Sequence, residues 1–264
     1  MGKVASRTLD ILSKFSIDKP CLTADELAEL SRTPLSTMYR FLESMTKTGY
    51  LMKDPRTQKF SVGPEMLRLA RVADAGLGFR TFAVPWVERL FAETGKTIYL
   101  VARSGFSWVC SENRVRHGMG SRFVVRPGEM APLYAGCPGR VLLAGLSHAE
   151  VNHLLNEIKL VKLTPYTVTE RGEILEQLTD IRRRGYHITY QENQWGAWGL
   201  GAPIFDSQGK TQAALVIAGV LSEEKPQVAV LKKFLLEATR DISKSLAISS
   251  GRTRSGKSPV TLFA

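Results

Sequence analysis

The sequence predicts an α+β chain in two domains, and three observations carry that prediction. An amphipathic helix at 34–48 runs straight into a short hairpin rich in Lys and Arg. Upstream of it stand two more helical segments separated by short turns. Beyond residue 96, β-rich runs joined by Gly-containing turns alternate with helical patterns, which reads as one sheet covered by helices.

The first helix is expected at 6–16, with Leu9, Leu12 and Phe15 on one side and Ile11 beside them. Thr23 with Glu26 three residues later is a capping box that opens a second helix, Leu27, Ala28 and Leu30 facing inward. Thr33 is the expected N-cap of the third helix, Pro34 suits its first turn, and Gly49 stands where a helix ends at positive φ. Leu35, Met38, Leu42 and Met45 recur at helical spacing, which leaves Ser36, Thr37, Tyr39, Arg40, Glu43, Ser44 and Lys47 outward. Hydroxyls, a phenol and a guanidinium near a helix start suit base edges and phosphates. The hairpin follows as strand, polar turn and strand over 50–62, with Lys53, Arg56 and Lys59 as its cations. Helix, helix, turn, helix and wing is the order of a winged helix-turn-helix. Residues 31–61 hold Arg32, Arg40, Lys47, Lys53, Arg56 and Lys59 against only Glu43 and Asp54, so a polyanion is the better-matched partner than a generic solvated face.

A helix at 65–75 is expected as a linker, although the residues fit the last helix of the first domain equally well. Next come a helix at 83–94 with Pro85 in its first turn, β-runs at 97–103 and 106–112, and an apolar helix at 139–146. Ser147 and Glu150 form a second capping box, opening a helix to about residue 158. A helix at 170–184 stops at Gly185, three strands lie near 186–192, 198–205 and 211–220, and an amphipathic helix at 227–248 closes the fold. The expected domains are therefore 1–63, a linker at 64–80, 81–248, and a basic disordered tail at 249–264.

The chain has 264 residues, 44% of them hydrophobic, which is enough for two cores, and a net charge of +11. Three widely spaced cysteines make neither a disulfide framework nor a metal pair, and the four histidines lie too far apart for a dedicated metal site. No apolar signal region or membrane-length run occurs, so a cytoplasmic protein without membrane attachment is expected, with no metal and no cofactor.

The run from Ser6-Arg7-Thr8-Leu9-Asp10-Ile11-Leu12 through Pro34-Leu35-Ser36-Thr37-Met38-Tyr39-Arg40 to Gly49-Tyr50-Leu51 resembles the N-terminal domain of the IclR family of bacterial transcription regulators. Asp54-Pro55 and Phe60-Ser61-Val62-Gly63 match its wing. Pro132-Leu133-Tyr134-Ala135 leading into Gly139-Arg140-Val141-Leu142-Leu143-Ala144 resembles that family's effector domain, as do Arg184-Gly185-Tyr186, Glu192, Gly196 and Ala202-Pro203-Ile204-Phe205-Asp206. The resemblance covers about residues 5–248. It implies a ligand-responsive regulator, repressor or activator, with a GAF-like effector-binding domain, acting on operator DNA as a homodimer or a dimer of dimers.

DNA contacts are then expected from Ser36, Thr37, Tyr39, Arg40, Lys53, Arg56 and Lys59. The resemblance places the effector against Cys137, Pro138 and Gly139, the segment from Thr189 through Ala197, Trp198 and Gly199, and the strand holding Val216 and Ala218, with Phe123 and Ala131 closing one side. Where members that bind small carboxylates carry an acid, a Cys and Ser hydroxyls, this chain has Thr189, Gly199, Val216 and Ala218. Those smaller, less polar side chains imply a roomier cavity and a bulky or aromatic catabolite rather than a short organic acid, with Tyr134, Trp195 and Trp198 as aromatic surface. The same aromatics fit a core or a subunit interface. Two rivals stand beside this reading: an enzyme built on Cys137 in its Gly-rich turn, which lacks an evident base, and an oligomeric DNA binder without a ligand.

Overall fold

A computed structural model describes residues 2–115, 125–221 and 227–254. The chain forms two compact units that divide after Leu77.

In the first unit the elements are α1 (Gly2–Leu12), β1 (Cys21–Leu22), α2 (Ala24–Leu30), α3 (Leu35–Lys47), β2 (Leu51–Lys53), β3 (Phe60–Val62) and α4 (Glu65–Gly76). Thr23 caps α2 as a full capping box, its N–H donating to Glu26 at 2.7 Å and its hydroxyl accepting from the Glu26 N–H at 3.2 Å. Ile11, Leu27, Met38, Leu42, Met45, Leu51 and Phe60 form the core. Leu9, Leu30 and Leu35 are exposed, contrary to the sequence expectation. Leu9 sits two residues before Ile11, about 200° round the helix, and Leu30 and Leu35 lie at helix ends beyond their neighbours' reach. Thr33 is not the N-cap of α3: Pro34 occupies that position, and the Thr33 hydroxyl donates instead to the Ser31 carbonyl at 3.0 Å. The sheet runs β1-β3-β2, so the wing gains a third strand that the sequence reading lacked. Asp54 orders the wing turn, accepting from the Arg56 N–H and the Thr57 hydroxyl, both at 2.8 Å.

The second unit comprises α5 (Phe79–Thr94), β4 (Thr97–Ser104), β5 (Ser107–Arg114), β6 (Met130–Pro132), α6 (Gly136–Ala144), α7 (His148–Glu157), α8 (Arg171–Arg184), β7 (His187–Tyr190), β8 (Ala197–Phe205), β9 (Thr211–Val220) and α9 (Val228–Arg254). Its antiparallel sheet has the order β6-β5-β4-β9-β8-β7. Residues alternate along β4, so Tyr99 and Val101 join the core built with α6, α7 and α8. The intervening Ile98 and Leu100 are also fully buried, as a sheet covered on both faces requires, with α5 and α9 packed together and against its strands. α5 starts at Phe79 rather than 83, which puts Pro85 inside the helix; burial of Phe79 and Ala83 holds that extra turn. α6 starts three residues before the expected 139, so Cys137 and Pro138 belong to its first turn. α9 continues to Arg254, six residues into the stretch expected to be a disordered tail; residues 255–264 lie outside the described residues.

Candidate functional site

The exposed side of α3 and the wing form the first candidate surface. Ser36, Tyr39 and Arg40 are exposed and Thr37 is half-buried, while Met38, Leu42 and Met45 anchor the opposite side of the helix. No side chain caps the N-terminus of α3, whose amides carry the positive end of the helix dipole. Lys53, Arg56 and Lys59 stand exposed on the wing. The acids nearby are already engaged: Glu43 pairs with Lys47 at 2.8 Å and Asp54 is held in its turn. The surface is therefore donor-rich and cationic.

The second candidate is a cavity of about 50 Å³ at the first turn of α6, between β7, β8 and β9 and the 191–194 loop. Cys137, Pro138, Thr189, Ala197, Trp198, Gly199 and Ala218 line it, as the family resemblance implies. The expectation of a roomy cavity is corrected by its volume of about 50 Å³, and Gln191, Glu192, Asn193 and Gln194 line it as well. Those four lie in the expected segment from Thr189 to Gly199, whereas Val125, Gly219, Thr97 and Tyr99 were missed. Strand pairing supplies a signal for the last two: Thr97 lies beside Ala218 and Tyr99 beside Val216.

Four expected contacts fall elsewhere. Tyr134 is buried and its hydroxyl is committed to Val161, donating to the carbonyl at 3.0 Å and accepting from the N–H at 3.2 Å. Gly139 is a packing position, since a Cβ there would sit 2.3 Å from the Leu133 carbonyl oxygen. Ala131 pairs with Trp108 between β5 and β6, and Val216 is wholly buried behind Gly199. Phe123 lies outside the described residues. Trp195 is 61% exposed and packs against Tyr166, away from the cavity.

The Thr189 hydroxyl accepts from the Cys137 N–H at 3.1 Å, so the edge strand holds the start of α6, and the Glu192 carboxyl lies close enough to the Gly136 N–H for that group to lower its pKa. Arg140 lies directly beneath. It is fully buried and donates to the Tyr134 carbonyl at 2.6 Å, to the Val168 carbonyl at 3.0 Å and to Gln177, with Glu192 at 3.8 Å. Burial raises the Glu192 carboxyl above its ordinary value, while Arg140 and the Gly136 N–H pull it back. Burial, then the charge of Arg140, depresses His187 to about 4.

The suggestion that Cys137 sits where its thiol could be activated is corrected too. Burial raises it well above the usual thiol range, and it donates to the His187 carbonyl at 3.3 Å. Cys110 is likewise pushed up to about 12. Thiolate is the reactive form, so Ellman's reagent should titrate only the exposed Cys21 in the native protein and all three thiols after unfolding. Rapid native reaction of a second thiol would contradict this burial. Among the described residues no group of His, Cys, Asp or Glu could hold a metal ion, and no helix is long and apolar enough to cross a membrane.

Comparison with known proteins matches residues 4–55 to the IclR helix-turn-helix domain and residues 75–244 to the bacterial transcriptional regulator IclR C-terminal domain. The chain is 28% identical over 246 residues to the HTH-type transcriptional regulator BhcR of Paracoccus denitrificans, covering 93% of this chain and 88% of that protein. It is 27% identical to the HTH-type transcriptional regulator KipR of Bacillus subtilis, covering 83% and 86%. Among solved structures, an IclR homologue from Microbacterium hydrocarbonoxydans complexed with 4-hydroxybenzoate aligns with a TM-score of 0.79 at 25% identity, over 92% of this chain and 98% of that one.

Proposed function

Because this chain belongs to the IclR family of bacterial transcription regulators, we propose that it is a cytoplasmic, ligand-controlled regulator that binds operator DNA as a dimer or dimer of dimers. α3 would enter the major groove with Ser36, Thr37, Tyr39 and Arg40, and Lys53, Arg56 and Lys59 on the wing would hold the backbone. The ligand, an aromatic catabolite or small organic acid, would occupy the cavity beside Cys137, Thr189 and Ala218. Binding there would bias DNA affinity as a coupling free energy between two sites. The observation that carries the reading is the pairing, in one chain, of an exposed donor-rich helix and wing with a small cavity on a separate unit. The 4-hydroxybenzoate bound by the homologue makes hydroxybenzoates the first compounds to screen.

One observation favours the rival without a ligand. A cavity of about 50 Å³ is a third of the roughly 150 Å³ that accepts benzene in an engineered protein core, so an aromatic ligand requires the lining to give way. A thermal-shift screen of 4-hydroxybenzoate, pyruvate and glyoxylate separates the two readings. A true ligand at a hundred times its Kd stabilises by about 2.7 kcal/mol. Ala218→Leu should abolish that shift while leaving DNA binding without ligand intact, because overpacking of about 1–3 kcal/mol falls on the occupied cavity. An Ala218→Leu protein with wild-type ligand affinity would place the ligand elsewhere, and no shift with any catabolite would favour the rival.

A further inference from the structure

A groove of about 580 Å³ runs between α1 and α3 in the first unit, and of the proposed base-reading residues only Thr37 and Arg40 line it. Arg7 and Thr8 form one wall at adjacent positions on α1. The other wall is a helical stripe of α3, Thr37, Arg40 and Ser44, continued by its C-cap Thr48, and Val4, Phe41, Met45 and Tyr50 also line the groove. Two guanidiniums and the hydroxyls of Thr37, Ser44 and Tyr50 therefore converge on one channel, the Thr8 and Thr48 hydroxyls being committed to the Val4 and Ser44 carbonyls, and no carboxylate lines it among the described residues. The nearest acids on the same helices are neutralised, Asp10 by Lys14 at 2.6 Å and Glu43 by Lys47 at 2.8 Å. Arg7 is exposed.

Guanidiniums flanked by Ser and Thr hydroxyls are the donor set that binds phosphate oxygens, and a stripe of α3 already forms one side. We propose that this groove seats a run of the DNA sugar-phosphate backbone, with Arg7 on α1 as a phosphate-binding residue that carries the footprint beyond the recognition helix and wing. The proposal rests on the DNA-binding reading above and adds α1 to the surface that touches DNA. Contacts of this kind fix position and carry no sequence information.

The test uses the full chain and a duplex enriched by the wild-type protein from a random-sequence pool, with an unrelated duplex as comparison. Affinities for both are measured by fluorescence anisotropy across a salt series. Arg7→Gln should weaken both duplexes by a similar factor, and the slope of log affinity against log salt should fall by about 0.9 per bound head, one phosphate contact being lost from each. Arg7→Lys, which keeps the charge, should retain the slope. Arg7→Gln with wild-type affinity and slope on both duplexes overturns the groove assignment alone. Loss confined to the enriched duplex makes Arg7 a base reader, and a shift in self-association by sedimentation makes the groove a contact between copies; either result also overturns it. A wild-type chain that enriches no duplex removes the DNA-binding reading and the groove with it.

Discussion

Arg140→Met should destabilise the C-terminal unit by about 3–5 kcal/mol at neutral pH, the cost of removing one partner from a buried ion pair. The substitution nearly conserves volume, so the loss falls on electrostatics and hydrogen bonds rather than on a void. Glu192 would remain buried without its counter-charge, and the Tyr134 and Val168 carbonyls would lose their donor. The pH dependence has a definite sign. A carboxyl raised above its ordinary value by burial contributes stability that is present below about 4.5, its unfolded value, and lost as pH rises through its folded value. Arg140 limits that loss by pulling the Glu192 carboxyl back down, so without it the deficit is largest at neutral pH and narrows on acidification. His187 acts in the same direction. Its depressed value makes stability fall as pH drops from 6.5 towards about 4, and Arg140 contributes to that depression. Urea unfolding followed by tryptophan fluorescence at pH 7 and pH 5 checks both statements. Arg140→Met combined with Glu192→Leu should recover the part of the loss that comes from the unpaired carboxyl and remove its pH dependence, leaving the cost of the Tyr134 and Val168 carbonyls. A deficit below about 1 kcal/mol, or one that does not change with pH, would show that the pair is not what holds the start of α6.

Arg40→Ala should lower affinity for the enriched duplex by about tenfold or more per head, and by about a hundredfold or more when two heads bind together, since one good base contact is worth about 1–3 kcal/mol. Arg40 is exposed and α3 is anchored by Met38, Leu42 and Met45, so the thermal melting curve should not move. Lys59→Ala on the wing should act differently, weakening enriched and unrelated duplexes alike and lowering the salt slope by about one. Comparing the variants on the two duplexes separates base reading from backbone holding. If Arg40→Ala footprints the enriched duplex like the wild type, α3 is not the helix that reads it.

The features that were legible in the sequence are those whose physical cause is local. Both capping boxes lie within four residues, and both form as read. Gly95 and Gly185 end α5 and α8 in the left-handed conformation that favours glycine. Burial was not legible at three apolar positions: Leu30 and Leu35 sit at helix ends, and Leu9 faces away from Ile11 although its spacing with Leu12 and Phe15 marks one face. β6 escaped notice because three residues ending in Pro132 carry almost no strand pattern. At the cavity, the segment from Thr189 to Gly199 and the start of α6 could be placed through matched motifs, but Thr97 and Tyr99 join the lining only through the pairing of β4 with β9. Arg140 and Glu192 each lay inside a recognisable motif. Their pairing across 52 positions is a property of the fold, because α6 and the loop after β7 meet only once the sheet has formed.

The strand order β6-β5-β4-β9-β8-β7 also sets the timetable on which the chain can be made. Its central pairing joins Val101 to Ala214, so β4 leaves the ribosome long before its inner partner exists. At about 5–20 residues per second, the intervening stretch of roughly 110 residues takes on the order of 5–20 seconds to synthesise. The first unit, whose contacts close within the first 77 residues, can fold in that interval. During it β4 presents an unpaired edge with six consecutive residues destined for burial, so the nascent C-terminal unit is where chaperone demand and aggregation should concentrate when synthesis stalls.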